Sequence, residues 1–488
     1  MPERRLAPTA AKSRAAAAMV CAGISILASI PAAALTDMPA GSYAAPPLPW
    51  LIPGAVLWLC VEIGLLAGVC VRSPVIFSLL LTGAMAVGMG IFTLDRFGLD
   101  LAGWRAWAGC CLVAIPLGAS SLLLLKARDG RVPAIRATRL FLVGCILGAV
   151  YQYSGTPGTA VAHLRAVAVA VAILSLIVAY RRQIGDVMNR LKPRVTATAL
   201  WVGAVVLLVL NGLVVAYAGT LTAQVSIAGI SVAPYFAAGL LMLIAIAVEW
   251  QGSDTRTALQ RTTIGFAVIG GLTALLLDES STVVMWAWAV VLVVALLAPG
   301  RITVTVLVVA VSAAAFFTTP AGAAMAGHVS ARASHRIAVW GGSEPSPAQL
   351  TRAFDATDGA GALGFAGAAR PQLLIGTEAT KDYAPVVVLA QGGWLGLSIA
   401  VVVLVWFARD LIAATLTTNV GLGRAVAAAV VVLLASSITL TLTWLVGLTP
   451  LLGLPLPTLA RGGSHLIVYA MGLGLLDAVS DDQTNRAT

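Results

Sequence analysis

The chain has 488 residues, of which 59% are apolar and only 10% charged, with thirty basic and twenty acidic residues giving a net charge of +10. A soluble domain carries about 25% charged residues because its surface faces water, so this composition excludes an ordinary soluble enzyme and, equally, a disordered chain. The basic residues sit in short clusters between apolar runs, the pattern of cytoplasmic membrane loops; no nucleic-acid partner is expected.

A membrane span needs about 20 predominantly apolar residues, and each must be a helix because backbone groups in lipid have no water partner. Fourteen such runs follow one another: 15–35, 49–71, 74–94, 102–125, 139–156, 160–180, 196–218, 230–250, 262–277, 280–298, 302–318, 383–408, 424–447 and 463–480. The expected fold is therefore all-α, a polytopic integral membrane protein of about fourteen helices. Arg4, Arg5, Lys12 and Arg14 ahead of the first run, which ends in three alanines, would also suit a signal peptide, but a retained first helix is the simpler reading.

The clusters Lys126/Arg128/Arg131/Arg136/Arg139 and Arg181/Arg182/Arg190/Lys192/Arg194, then Arg256/Arg261, Arg301 and Arg409, fall on alternate connections, on the same side as the N-terminus. That side is expected to be cytoplasmic, with both termini there and the long hydrophilic segment 319–382 outside. A connection of this length is either functional or a disordered Gly/Ala-rich loop, and Gly359 to Gly364 fits both readings. The chain divides into an N-terminal four-helix extension (1–125), a basic linker (126–138), a ten-helix core (139–480) and a cytoplasmic tail (481–488).

Cys21, Cys60, Cys70, Cys110, Cys111 and Cys145 all lie inside apolar runs without a CxxC pair, and read as small hydrophobes. His163, His328, His335 and His465 are scattered, so no metal site is expected from them. Charges within or near spans are few: Glu62, Arg105 and Arg165.

Four segments of the C-terminal half resemble the SEDS family of bacterial membrane proteins, whose members include FtsW, RodA and SpoVE. Gly447-Leu-Thr-Pro450-Leu-Leu-Gly453-Leu-Pro455-Leu-Pro457-Thr-Leu-Ala-Arg461-Gly462-Gly463-Ser464 is similar to the family signature before the last helix. Glu378-Ala-Thr-Lys381-Asp382-Tyr383, leading into Gln391-Gly-Gly393-Trp-Leu-Gly396, resembles a second, in which Asp382 matches the aspartate needed for catalysis. Arg336-Ile-Ala-Val-Trp340, Gln349 and Gly361 to Gly364 resemble the outer-loop motifs. The fourth, weaker match is Leu277-Asp-Glu279-Ser-Ser-Thr282; weaker still, and outside these four, is Ala233-Pro234-Tyr-Phe236. Departures are Ala390 and Gln391 for paired glutamates, Ala460-Arg461 for Ser-Tyr, and Pro385 early in a helix.

The resemblance implies polymerisation of lipid II, the undecaprenyl-diphosphate-linked disaccharide-pentapeptide, on the outer face of the plasma membrane for division, elongation or sporulation. Asp382 would be the general base for the attacking hydroxyl. Arg336, Lys381 and Arg461 would stabilise the departing diphosphate, although each also suits an interfacial anchor. Gln349 and Ser464 are further substrate-binding candidates, with Glu279 and Thr282 secondary. Gly361, Gly364, Gly393, Gly396, Pro450, Pro455, Pro457, Gly462 and Gly463 would shape the site. No cofactor is evident, and a divalent cation, Mg or Mn, remains open. The implied partners are a class B penicillin-binding protein and membrane lipid. A scaffold that has lost catalysis and a lipid-linked precursor flippase are the alternatives.

Overall fold

The computed structural model describes residues 8–36, 51–97, 100–128, 132–155, 157–190, 193–218, 225–227, 230–277, 280–297, 331–340, 348–358, 360–364, 383–417, 421–451, 453–461 and 463–486. The elements are α1 (Pro8–Leu35), α2 (Leu51–Gly68), α3 (Pro74–Phe97), α4 (Leu101–Ala127), α5 (Val132–Gly155), α6 (Pro157–Ala179), α7 (Arg181–Arg190), α8 (Pro193–Ala218), β1 (Val225–Ile227), β2 (Ile230–Val232), α9 (Pro234–Gly252), α10 (Thr255–Leu277), α11 (Ser280–Leu297), α12 (Ala331–Trp340), α13 (Ala348–Asp358), α14 (Ala384–Thr417), α15 (Leu422–Leu445) and α16 (Gly463–Arg486).

Among the described residues, nine helices are long and apolar enough to cross a membrane: α1, α3, α4, α5, α6, α8, α9, α14 and α15. Shorter apolar stretches lie in α2, α11 and α16. The protein is a multi-pass membrane protein. Every predicted span contains a helix, not always over its full length, except 302–318, which lies outside the described residues.

One departure from the sequence reading has a local cause. The span expected from residue 230 starts instead at Pro234, because Val225–Ile227 and Ile230–Val232 form an antiparallel hairpin pairing Val225 with Val232. Val-Ser-Ile and Ile-Ser-Val alternate with period two, and Pro234 then supplies the fixed φ of a first helical turn. The hydrophilic segment 319–382 also contains structure, the short helices α12 and α13.

The chain folds into two compact units. The first comprises Met1–Tyr180, Pro347–Asp410 and Pro455–Gly474. Its central helix is α5, buried on nearly every side from Leu140 to Tyr153 and packed against α2, α3, α4 and α6. Helix α1 lies on α4 and α6. Ala11, Ala15, Ala18 and Ala22 form its buried stripe at helical spacing, while Val20, Ile24, Leu27 and Ile30 are exposed on the other side. Small residues let the backbones approach, and the Ser120 hydroxyl donates to the Ala18 carbonyl at 2.6 Å. On α5, Arg139 donates to the carbonyls of Val69, Val71 and Arg72 after α2, and Arg136 pairs with Asp410 of α14.

The second unit comprises Arg181–Ser346, Leu411–Leu454 and Leu475–Thr488. Its central helix is α9, buried all round and packed against α8, α10, α11 and α15. Arg261 of α10 donates to both carboxylate oxygens of buried Glu249 on α9, at 2.8 and 3.0 Å. Asp254 opens α10 by accepting from the Thr257 hydroxyl and backbone N–H, and the Thr257 bonds hold its carboxyl below the ordinary carboxylate value.

Candidate functional site

In the first unit, α14 starts just after Tyr383. Pro385 sits in its first turn, where the missing N–H would have no helical partner, so this departure from the family pattern is structurally harmless. The helix then breaks at Gly393, whose φ of 65° and ψ of −169° belong to a region open essentially to glycine. The N–H groups of Trp394 and Leu395 leave the helical ladder and donate to the carbonyls of Gly361 and Ala362, at 3.2 and 3.0 Å. Gly364, at φ 66°, closes that turn, and its N–H donates to the Gly361 carbonyl at 3.4 Å. A Cβ on Gly364 would strike the backbone at Gln391 and Gly393, and a Cβ on Gly393 would strike Ala362 and Gly364. Gly361, Gly364 and Gly393, drawn from two separate sequence motifs, thus form one interlocked backbone joint.

The residues around the break also rest on Tyr151 of α5. Its hydroxyl donates to buried Glu62 of α2 and accepts from the Trp58 indole N–H at 3.2 Å. Gly392 and Gly396 lie against the same hydroxyl, closely enough that a Cβ on either would collide with it.

The next residue, Gln152, anchors the proline-rich motif. Its amide nitrogen donates to the Leu459 carbonyl at 2.8 Å and lies 3.2 Å from His163 Nδ1. His163 Nε2 faces the Cys145 carbonyl at 3.1 Å. A carbonyl only accepts, so Nε2 carries the proton and Nδ1 accepts from Gln152. The held segment turns at Pro457–Leu459, with the N–H groups of Leu459 and Ala460 donating to the Leu456 carbonyl. Thr458, at φ 63°, is the one non-glycine residue with positive φ among the described residues. Arg461 follows, half-buried, and loss of solvent pulls its guanidinium below the usual value. A cation in such surroundings interacts more strongly with an anion than one in bulk water. Gly463, Ser464 and His465 open α16 and are buried, and Pro455 is partly exposed.

In the second unit, Arg336 is half-buried on α12. At the end of that helix the Trp340 indole donates to the Gly447 carbonyl at 3.0 Å, fastening α12 to the turn that leads to Pro450. Thr282 is buried on α11, against which α12 packs. Asp382, Lys381, Gly462 and Glu279 lie outside the described residues, and Gln349 is placed on α13. No group of three or more His, Cys, Asp or Glu side chains that could hold a metal ion occurs among the described residues.

The sequence alone does not single out Tyr151 or Gln152, shows His163 only as one of four scattered histidines, and shows Glu62 only as a charge within or near a span. The signal was present: three polar residues, Tyr151, Gln152 and Tyr153, interrupt the end of an apolar run.

The FtsW/RodA/SpoVE model, described as cell cycle protein, matches residues 138–485, well over half of the chain. The chain therefore belongs to this family, the SEDS proteins of peptidoglycan synthesis. A comparison with curated proteins finds no match. Among solved structures, a chain from work on a peptidoglycan synthase complex that coordinates polymerization and crosslinking is 20% identical, with a TM-score of 0.49 over 71% of this chain and 97% of that one. The rod shape determining protein RodA of Thermus thermophilus is similar in two structures. One, of a mutant, is 17% identical with a TM-score of 0.43; the other is 18% identical with a TM-score of 0.40; each covers 71% of this chain and 96% of RodA.

Proposed function

We propose that this protein is a peptidoglycan glycosyltransferase that polymerises lipid II on the outer face of the bacterial plasma membrane. The observation that carries the reading is the joint at Gly361, Gly364 and Gly393. Two motifs far apart in sequence meet there, and they fix the helix that begins just after Asp382.

In the proposed reaction the 4-hydroxyl of one lipid-linked disaccharide attacks the anomeric carbon of another. Asp382 takes the hydroxyl proton, because a neutral alcohol at pH 7 is a weak nucleophile without a base. The glycosidic bond forms as the bond to undecaprenyl diphosphate breaks, and negative charge develops on the departing diphosphate. Lys381 and Arg461, both of the first unit, supply positive charge to that leaving group, with most value where solvent is excluded. A divalent cation, Mg or Mn, would add to the same stabilisation. Cross-linking falls to a class B penicillin-binding protein as partner.

The test is lipid II polymerisation by the purified full-length protein with such a partner, with wild type and Asp382→Asn compared at equal folded yield and in the presence and absence of EDTA. Asparagine keeps the size and removes the base. Loss of at least about 100-fold in rate is expected for Asp382→Asn. Absence of strands from wild type, with partner binding intact, would replace the enzyme reading with a scaffold in which Ala390 and Gln391 mark lost chemistry.

A further inference from the structure

We infer that α2, which precedes the family-matched residues, is a working part of the site, with Glu62 acting through Tyr151 as the positioning residue for the broken segment of α14. Helices α1–α4 belong to the same compact unit as the joint at Gly361, Gly364 and Gly393. Within that unit Glu62 is the buried acidic side chain of α2, and its Oε1 accepts the Tyr151 hydroxyl proton. Trp58, one turn earlier on α2, donates its indole N–H to the same hydroxyl oxygen at 3.2 Å. Its ring meets the Tyr151 ring edge-on, with centroids 5.8 Å apart and planes at 88°. The phenol is thereby fixed in position and in rotation about its C–O bond.

What the phenol touches gives this arrangement its purpose. Gly392 and Gly396 flank the break at Gly393 and leave room for the Tyr151 hydroxyl where any side chain would collide with it. A Cβ at Gly396 would also lie 3.6 Å from Glu62 Oε1, so the carboxyl group itself borders α14. A carboxyl group within a membrane-embedded bundle is costly and persists where it has a role. Here it borders a helical segment whose geometry depends on a neighbour, since the N–H groups of Trp394 and Leu395 are satisfied from residues 361 and 362. The turn at 360–364 holds this segment through hydrogen bonds to Trp394 and Leu395, and Tyr151, with Glu62 behind it, packs against Gly392 and Gly396.

For catalysis the inference rests on the proposed polymerase reading; for geometry it does not, and two measurements separate the dependence. The first follows disulfide formation in the full-length double variant Ala362→Cys/Leu395→Cys, whose backbones are hydrogen-bonded to each other, with each single variant as the control for the native thiols. Glu62→Ala and Tyr151→Phe are expected to slow cross-linking about fivefold by loosening the joint, whereas Glu62→Gln keeps an acceptor for the Tyr151 hydroxyl and leaves the rate unchanged. The second is polymerisation without the engineered cysteines. The expected result is a kcat lowered about tenfold with KM unchanged for Glu62→Ala and for Tyr151→Phe, no further loss in the double variant, and near wild-type activity for Glu62→Gln.

Cross-linking at the wild-type rate in both Glu62→Ala and Tyr151→Phe overturns the inference. So does Glu62→Gln as damaging as Glu62→Ala, or additive losses in the double variant. Where Glu62→Ala does not fold, Tyr151→Phe, which removes one oxygen atom, decides the matter. If wild type itself makes no glycan, the polymerase reading fails and cross-linking alone judges Glu62.

Discussion

Gln152 shows how much one side chain can hold in place. Its amide nitrogen makes two hydrogen bonds, to the Leu459 carbonyl and to His163 Nδ1, and so joins α5, α6 and the proline-rich motif. Gln152→Leu keeps the volume but leaves a buried carbonyl and a buried imidazole nitrogen without this donor. Each unpaired group costs about 1–3 kcal/mol. The expected outcome is a clear fall in thermal midpoint in detergent, measured by the fluorescence of the buried tryptophans, and, on the proposed polymerase reading, weaker polymerisation. His163→Ala should fall less, because Gln152 can still donate to Leu459. The turn held there also carries Thr458 in a left-handed conformation that costs a β-branched residue free energy, so release of the Leu459 carbonyl should relax Thr458 and shift Arg461, two residues after Leu459.

At the scale of elements, the break in α14 is the feature on which the site reading depends most. Gly393→Ala places a side chain in a backbone region that L-residues rarely adopt and drives it into Ala362 and Gly364. Strain of this kind alone costs about 1–3 kcal/mol, before the collision is counted. The expected result is separation of the 360–364 turn from α14, seen as faster amide exchange at Trp394 and Leu395, with the helical content by circular dichroism almost unchanged. Gly271, with nothing near its Cβ position, is the control, and Gly271→Ala should be silent in the same measurements.

These glycines also show what the sequence could and could not disclose. Hydropathy located the spans because lipid demands long apolar helices, and the motif resemblance placed Gly361, Gly364, Gly393 and Gly396 in two separate segments. Neither could join those segments, since the joint consists of backbone N–H and carbonyl groups that every residue shares. Nor could a hydropathy window separate the paired strands Val225–Ile227 and Ile230–Val232 from the helix behind them, because all are apolar. Glu62 and Tyr151 were visible as polar interruptions, but their pairing links α2 to α5 and exists only once those helices pack.

At the scale of the whole molecule, sequence order and spatial order diverge. Each compact unit gathers segments from both halves of the chain, and the division between units falls at Leu454 and Pro455, inside the proline-rich motif. The first four helices belong to the unit that holds the Gly393 joint, so they are built into the body of the fold. This organisation bears on topology. With basic clusters on alternate connections, the proposed orientation puts both termini in the cytoplasm and the segment 319–382 outside. A fluorescent protein fused after Thr488 should therefore fluoresce in cells, and alkaline phosphatase inserted after Ser346 should be active. An impermeant maleimide should label Ser346→Cys, and not Thr488→Cys, in intact spheroplasts. The converse labelling would put Asp382 on the cytoplasmic side, where the proposed acceptor and donor lipids could not both be extracytoplasmic, and the polymerase reading would fail on geometry before any rate was measured. Reversal of the labelling on replacing Arg181, Arg182 and Arg190 by Gln would show that the positive charge of α7 sets the orientation, since the attraction is to charge and not to helix.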